Sequence, residues 1–295
     1  MGITFNHVSF SFNEVKALEN IHLTLGEGIT AVMGPNGAGK TTLLQLAASI
    51  RSPVQGEMQF DGESYATAGG QVRRALGFLP QEVDYPEYLT PRKLITYMAQ
   101  LRFLDPRLGM RELENLGIGS QANCYFGELS MGETRLAALA QALMGTPRLL
   151  IMDEPFRGLD AFERRAAFRS IQASLANRIV AFSTHATNEV DLLATRVIIL
   201  NEGRMIYSGG TEELRREAFG KVHEITLLPE EETSLLSRGC ISRRSQLDGK
   251  TILRVVGQTP DDKRFKPAEP TLEDAYLLIL RRASGQGGSL EDTKQ

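Results

Sequence analysis

The run Gly34-Pro35-Asn36-Gly37-Ala38-Gly39-Lys40-Thr41 restricts this chain more than any other segment. It spells glycine, four residues, then Gly-Lys-Thr, the pattern of a phosphate-binding loop. Such a loop sits between a buried strand and a helix. The apolar run Ile29–Met33 supplies the strand, and a helix is expected from Lys40 to about Ile50. Glycines let successive N–H groups turn inward around a phosphate. The helix N-terminus adds donors and a favourable dipole. Lys40 would reach the β- and γ-phosphates and Thr41 would place its hydroxyl on Mg2+, with Thr42 completing the set.

A second apolar run ends in Met152-Asp153-Glu154. A carboxylate at the end of a buried strand can hold Mg2+ through its water shell, which is the role expected of Asp153. Glu154 is placed to polarise an attacking water. An acidic helix start punctuated by Pro155 would give the same letters. Between the two motifs lies Leu129-Ser130-Met131-Gly132-Glu133. Ser130 and Glu133 read as a capping box for a helix carrying Leu136, Leu139 and Leu143, ended near Gly145. The same capped end, with a glycine, is also a phosphate binder.

Composition removes several classes. With 33 Lys+Arg against 36 Asp+Glu, the net charge of −3 lacks the basic footprint of a nucleic-acid binder. A hydrophobic share of 42% excludes disorder of the whole chain. Apolar runs such as Val197–Leu200 fall far short of the roughly 18–20 residues of a spanning helix, so a membrane role must come through a partner. Cys124 and Cys240 form neither a disulfide framework nor a metal motif. The first residues lack a basic region followed by an apolar core, so no signal peptide is expected and a reducing cytoplasm is the default.

The remaining organisation reads as follows. Residues 3–12 are β-rich, and Ile21, Leu23 and Leu25 alternate as a half-buried strand. Residues 86–145 are helix-rich, with Leu94, Tyr97, Met98 and Leu101 at helical spacing. The runs Leu149–Met152 and Ile179–Phe182 fit parallel strands covered on both faces, with a helix between them over about 161–176. Val197–Leu200 and Arg204–Tyr207 read as a hairpin. Short strands are expected over 221–256 and a loop over 260–270. A helix follows to about Arg282, opened by a Thr271/Asp274 capping box. The Gly/Ser-rich tail 284–295 is expected to be disordered.

Taken in order, these motifs resemble the nucleotide-binding subunit of ATP-binding cassette (ABC) transporters over about residues 1–212. They are the P-loop Gly34–Thr41, Gln81 in Phe78-Leu79-Pro80-Gln81, the signature Leu129–Glu133 and the Walker B stretch Leu149–Asp153 with Glu154. The D-loop Gly158-Leu159-Asp160 and the switch His185 in Ser183-Thr184-His185 complete the series. The resemblance implies an α/β fold. It has a P-loop NTPase core (mixed sheet with flanking helices), an N-terminal antiparallel β subdomain, an inserted helical subdomain at about 86–145 and a small α+β C-terminal extension at 213–283.

The resemblance also implies a mechanism. Two subunits, identical or different, would dimerise head to tail, each ATP lying between one P-loop and the partner's signature helix. Ser130 and Gly132 would face the partner's γ-phosphate. Gln81 would contact Mg2+ or the attacking water, making Thr41, Gln81 and Asp153 the metal set. Glu154, His185 and Gln81 form the catalytic set, and Asp160 would act across the interface. Met131 stands where the family most often has Gly. Phe12 would stack on the adenine, with Phe10 as its rival. An integral-membrane permease would be the partner, with the subunit peripheral on the inner face of the cell membrane and no direct nucleic acid contact. Residues 77–90 and the late helix look like the type-2 exporter branch, so export is the expected direction. The alternative is an ABC ATPase acting on ribosomes or nucleic acid.

Other residues weigh less. Tyr85, Tyr88 and Leu89 would suit an exposed interface centre, or equally burial under the helical region. His7, His22 and His223 show no partner pattern, Cys124 reads as a packed or idle thiol, and Arg157 as a solvated charge.

Overall fold

The computed structural model describes residues 2–173, 177–227, 240–247, 250–257 and 264–284. The chain forms two units, one of residues 1–185 with 202–204 and one of residues 186–201 with 205–295.

The first unit opens with strands β1 (Gly2–Phe12), β2 (Val15–Gly26) and β3 (Gly28–Met33). Helix α1 (Lys40–Ala47), strands β4 (Gln55–Phe60) and β5 (Glu63–Ser64), helix α2 (Tyr65–Ala75) and strand β6 (Leu76–Leu79) follow. Next come three helices: α3 (Pro91–Leu101), α4 (Pro106–Asn115) and α5 (Met131–Leu143). Strand β7 (Leu149–Met152), helix α6 (Ala161–Ala173) and strand β8 (Ile179–Ser183) close it.

Two kinds of sheet result. Strands β2, β1, β4 and β5 pair antiparallel in that order. Alternation in β1 and β2 buries Ile3, Phe5, Val8, Ile21, Leu23 and Leu25 on one face and leaves polar residues on the other. Strands β3, β8, β7 and β6 are parallel. Every residue of β7 and β8 is buried, as two covered faces require.

The helical stretch is as expected in type, and the structure adds its caps. Thr90 and Asp105 accept the N–H groups of Lys93 and Arg107, each followed by proline at the first helical position. The buried stripe of α3 is Leu94, Ile95 and Ala99. Tyr97 and Leu101 point outward at 59% and 57% exposure. Helix α1 stops at Ala47, short of Ile50, because Ser49 is left-handed at φ 56. Helix α2 and strands β4 and β6 were not legible as elements. Gly69-Gly70 breaks the pattern inside α2, and β6 is only four residues long.

The second unit holds α7 (Thr187–Leu193), the hairpin strands β9 (Arg196–Asn201) and, from Met205 on, β10 (Arg204–Gly210), and α8 (Thr211–Glu217). The hairpin turn residues Glu202 and Gly203 both have positive φ, the geometry that matches strand twist. Strands β11 (Val222–Leu227), β12 (Cys240–Leu247), β13 (Lys250–Val256) and β14 (Lys266–Pro267) form an antiparallel sheet in the order β12-β13-β11-β14. Helix α9 (Leu272–Ala283) follows, with the expected capping box. The expected loop over 260–270 falls partly outside the described residues, and β14 lies in the part that is described. The expected tail lies outside them beyond Ser284.

One buried ion pair organises this unit. Asp274 has no exposed surface and accepts from Arg254 Nη2 at 2.8 Å, Thr271 N at 2.8 Å and Ser242 Oγ. Arg254 also reaches Glu224 at 2.7 Å. Burial by itself would raise the Asp274 carboxyl, but the hydrogen bonds from Arg254, Ser242 and Thr271 outweigh it and hold the group below its usual range. Removing one partner of a buried pair strands the other, so Asp274→Ala should cost this unit on the order of 3–5 kcal/mol in a denaturant titration. Because the folded pKa is lowered, the stabilisation is full above about pH 4 and is lost as pH falls through that lowered value.

Candidate nucleotide site

The parallel register delivers the chemistry to one edge. Leu79 pairs with Met152, Met152 with Phe182, and Ala31 with Phe182. The four chains therefore leave their strands at the same level. β3 leads into residues 34–39, β6 into Pro80-Gln81, β7 into Asp153-Glu154 and β8 into Thr184-His185. Crevices outside the carboxyl ends of parallel strands are where α/β folds bind ligands.

The loop itself suits an anion. Gly39 has φ 99, and a Cβ there would sit 2.5 Å from the carbonyl oxygen of Ala17, so only glycine allows this approach. Helix α1 has no side-chain cap, which leaves its first N–H groups open to a phosphate. Lys40 is 7% exposed, and its Nζ donates to the carbonyls of Gly34 and Pro35 at 2.8 and 2.9 Å. Burial lowers the lysine pKa, and the nearby carboxylates Glu154 and Asp153 oppose that shift. A buried ammonium whose hydrogen bonds go to two carbonyls fits an anionic ligand.

The metal candidates are also brought together. Thr41 Oγ1 donates to Gln81 Oε1 at 3.3 Å, although 40 residues separate them in sequence. Asp153 is 3% exposed and accepts from Ser183 Oγ, the residue one step beyond Phe182 in β8. Among the described residues no cluster of three carboxylate, histidine or cysteine side chains could hold a metal alone. The donor set of one hydroxyl, one amide oxygen and one carboxylate matches a hard cation that brings its own phosphate ligands.

Glu154 has left-handed backbone, φ 48, unusual for a residue with a side chain. Its N–H donates to Ser183 Oγ at 2.8 Å and its carboxylate lies 3.7 Å from Arg157. Arg157 is thus an ion-pair partner as well as a largely exposed charge. His185 is exposed just past β8.

The signature segment stands apart from the loop. Ser130 Oγ accepts the N–H of Glu133 at 3.0 Å, and Glu133 Oε2 accepts the N–H of Ser130 at 2.8 Å, which is the capping box. Among the described residues no hydrogen bond joins Ser130 or Gly132 to residues 34–42. A Cβ on Gly132 would lie 2.2 Å from Glu163 Oε2, so the glycine admits the α6 carboxylate. That carboxylate accepts the N–H of Asp160 at 2.8 Å, while Asp160 Oδ1 caps Phe162 and Glu163. Met131 is 76% exposed.

Phe12 is 42% exposed and Phe10 only 8%, so Phe12 is the more accessible ring. Arg51 lies 4.6 Å from its centroid, a contact not read from sequence. Tyr85 is half-buried against Phe126 at 4.6 Å, and burial pushes its phenol to about 12, so it does not form an exposed centre. Tyr88 does stand out, at 77%. His7 and His22 stack on each other at 5.1 Å, a pairing hidden until β1 and β2 meet. The residue that sequence reasoning missed is Arg135. It is 5% exposed on α5, and its guanidinium donates to carbonyls of Gln81, Asp153, Glu154 and Pro155. An arginine three residues after Gly132 carried no separable signal within a leucine-rich helix.

Residues 18–157 match the family described as ABC transporter. The sulfate/thiosulfate import ATP-binding protein CysA of Synechocystis is 32% identical over 247 residues, covering 78% of this chain and 68% of the relative. The chain belongs to the ABC transporter ATP-binding proteins. Over nearly its full length the chain is similar to an ABC transporter ATP-binding protein of Bacillus subtilis, YxlF, at 27% identity, covering 92% of this chain and 96% of that one. Human ABCA3, a phospholipid-transporting ATPase, is 31% identical, but this chain spans only 14% of it. Among solved structures, an ATP-binding subunit of an ABC transporter superposes with TM-score 0.67 at 22% identity, over 73% of this chain and 92% of that one. The dimeric bacterial cassette MJ0796 gives 0.65 at 22%, over 70% and 98%. The α/β cassette fold with its antiparallel β subdomain is therefore that of the ABC ATPases. This ABC ATPase binds ATP as the energy-supplying subunit of a transporter. Among the described residues no helix is long and apolar enough to cross a membrane.

Proposed function

We propose that this ABC ATPase hydrolyses MgATP in a head-to-tail pair beneath a separate membrane permease and drives export. The observation that carries the reading is the convergence of Lys40, Thr41, Gln81, Asp153 and Glu154 at the carboxyl ends of four parallel strands.

In this reading the N–H groups of residues 34–42 and Lys40 hold the phosphates, and Phe12 stacks on the adenine. Thr41, Gln81 and Asp153 would hold Mg2+, which when bound neutralises phosphate charge. Glu154 orients and polarises the attacking water, and His185 contacts the γ-phosphate. Ser130 and Gly132 meet the ATP of the partner, and Asp160 lies at the pair's interface. Most of the acceleration then comes from positioning and electrostatics. Residues 1–212 form the cassette, with a helical subdomain at about 86–145, and residues 213–283 an accessory extension. The subunit sits on the cytoplasmic face of the membrane through its permease.

Export draws support from the phospholipid-transporting relatives and from the exporter-like wording of residues 77–90. The 32% identical import relative favours the opposite direction. Purification from gently solubilised cells with a non-hydrolysable ATP analogue should yield a polytopic membrane protein in stoichiometric amount. Ribosomes or DNA in its place would overturn the transporter reading. In inside-out vesicles carrying that permease, ATP should drive cargo into the lumen. ATP-driven loss of cargo from the lumen would mean import.

A further inference from the structure

The guanidinium of Arg135, on the signature helix, donates both to the Gln81 carbonyl after β6 and to the carbonyls of residues 153–155 after β7. Nη1 donates to Gln81 O at 2.7 Å, and Nη2 donates to Asp153 O at 2.6 Å and Glu154 O at 2.5 Å. Nε approaches Pro155 O at 3.4 Å. Those acceptors lie 54, 18, 19 and 20 residues away in sequence, so only the fold assembles them. The planar fork of arginine can serve several carbonyls at fixed angles, which a lysine ammonium cannot.

Glu154 explains why such a brace is needed. Its left-handed backbone is disfavoured for a residue with a Cβ and persists only where the surroundings over-determine it. Ser183 Oγ holds the N–H of that residue and Arg135 holds its C=O, so the peptide is pinned at both ends. Asp153 is pinned likewise, its N–H donating to Leu79 O at 2.8 Å while its C=O accepts from Arg135. A helix N-terminus five residues upstream of Arg135 carries Ser130.

We propose that Arg135 is a positioning residue that fixes the backbone of Gln81, Asp153 and Glu154, and thereby ties the aim of this chain's own water-activating carboxylate to the placement of its signature helix. The proposal rests on the catalytic reading of Glu154 given above. Its consequence is specific: the residue affects turnover more than binding, because Lys40 and the loop N–H groups that hold phosphate do not touch it.

The test uses the full chain with Arg135→Met, Arg135→Lys and, as a stability-matched control on the same helix, Leu143→Ala. Binding is read with a fluorescent ATP analogue and Mg2+, turnover by phosphate release, and local order by amide hydrogen exchange without nucleotide. Arg135→Met should lower kcat at least tenfold with nucleotide Kd within threefold of the parent. Exchange should rise at least tenfold in peptides covering 80–82 and 153–156. Arg135→Lys should recover thermal stability but not kcat, since it restores charge without the fork. Leu143→Ala should lower stability with kcat within twofold.

A kcat within twofold for Arg135→Met, or a loss matched by the control at equal stability, would overturn the proposal. So would unchanged exchange at 153–156, which needs no catalysis and so judges the brace even if Glu154→Gln were to keep its activity. That last result would sink the catalytic reading alone.

Discussion

Glu154→Gln will stop phosphate release while leaving nucleotide binding in place. The side chain is 13% exposed at the end of β7, and its backbone is held by Ser183 and Arg135 through groups the substitution does not alter. Glutamine has the same shape but is a far poorer base. General-base catalysis is worth about 10²–10⁴-fold, so kcat should fall by at least about 10²-fold. The ground state loses the ion pair with Arg157, at 3.7 Å and largely in solvent, and the carboxylate's attraction for Lys40 and Arg135, but no side-chain hydrogen bond among the described residues, so stability should change little. With ATP bound and not turned over, two copies should remain paired. Phosphate release measured beside sizing chromatography with MgATP checks both halves. A variant with more than a tenth of the parent rate would remove Glu154 from the mechanism, and one that stays monomeric at saturating ATP would count against the shared site.

Lys40→Ala should act on the opposite parameter. The ammonium is buried, donates to Gly34 O and Pro35 O, and sits within the influence of Glu154 and Asp153. Its removal leaves two carbonyls and two carboxylates around a cradle meant for an anion. A hydrogen bond to a charged group contributes about 1.5–3 kcal/mol, so affinity for ATP should drop by about 10–10²-fold. Titration of the fluorescent analogue reads this directly, and an unchanged Kd would show that the loop N–H groups suffice. Because the variant also removes a cation held in a place that disfavours it, thermal stability should stay close to the parent. That separates a binding defect from unfolding.

Much of the site is legible in the letters. The order strand, Gly34–Gly39, helix is local chemistry, since glycines at positive φ and an uncapped helix start need no distant partner. The Ser130/Glu133 and Thr271/Asp274 capping boxes are local for the same reason, spanning three residues each. The buried runs Leu149–Met152 and Ile179–Ser183 could be read as parallel strands because both faces must be apolar. Where the pattern mixed, spacing gave the helix but not which face it buries. Tyr97 and Leu101 keep helical spacing with Leu94 yet face outward, because the neighbours of α3 lie on the side of Ile95 and Ala99.

By itself the sequence determined the phosphate loop, the carboxylate pair after a buried strand and the helix caps, because each depends on residues within a few positions of one another. Only the tertiary structure decided which backbone groups Arg135 would hold, that Thr41 would meet Gln81, and that Tyr85 would turn inward onto Phe126. Those contacts join segments 18 to 54 residues apart. Their geometry is set by strand register and helix packing, which no local pattern encodes.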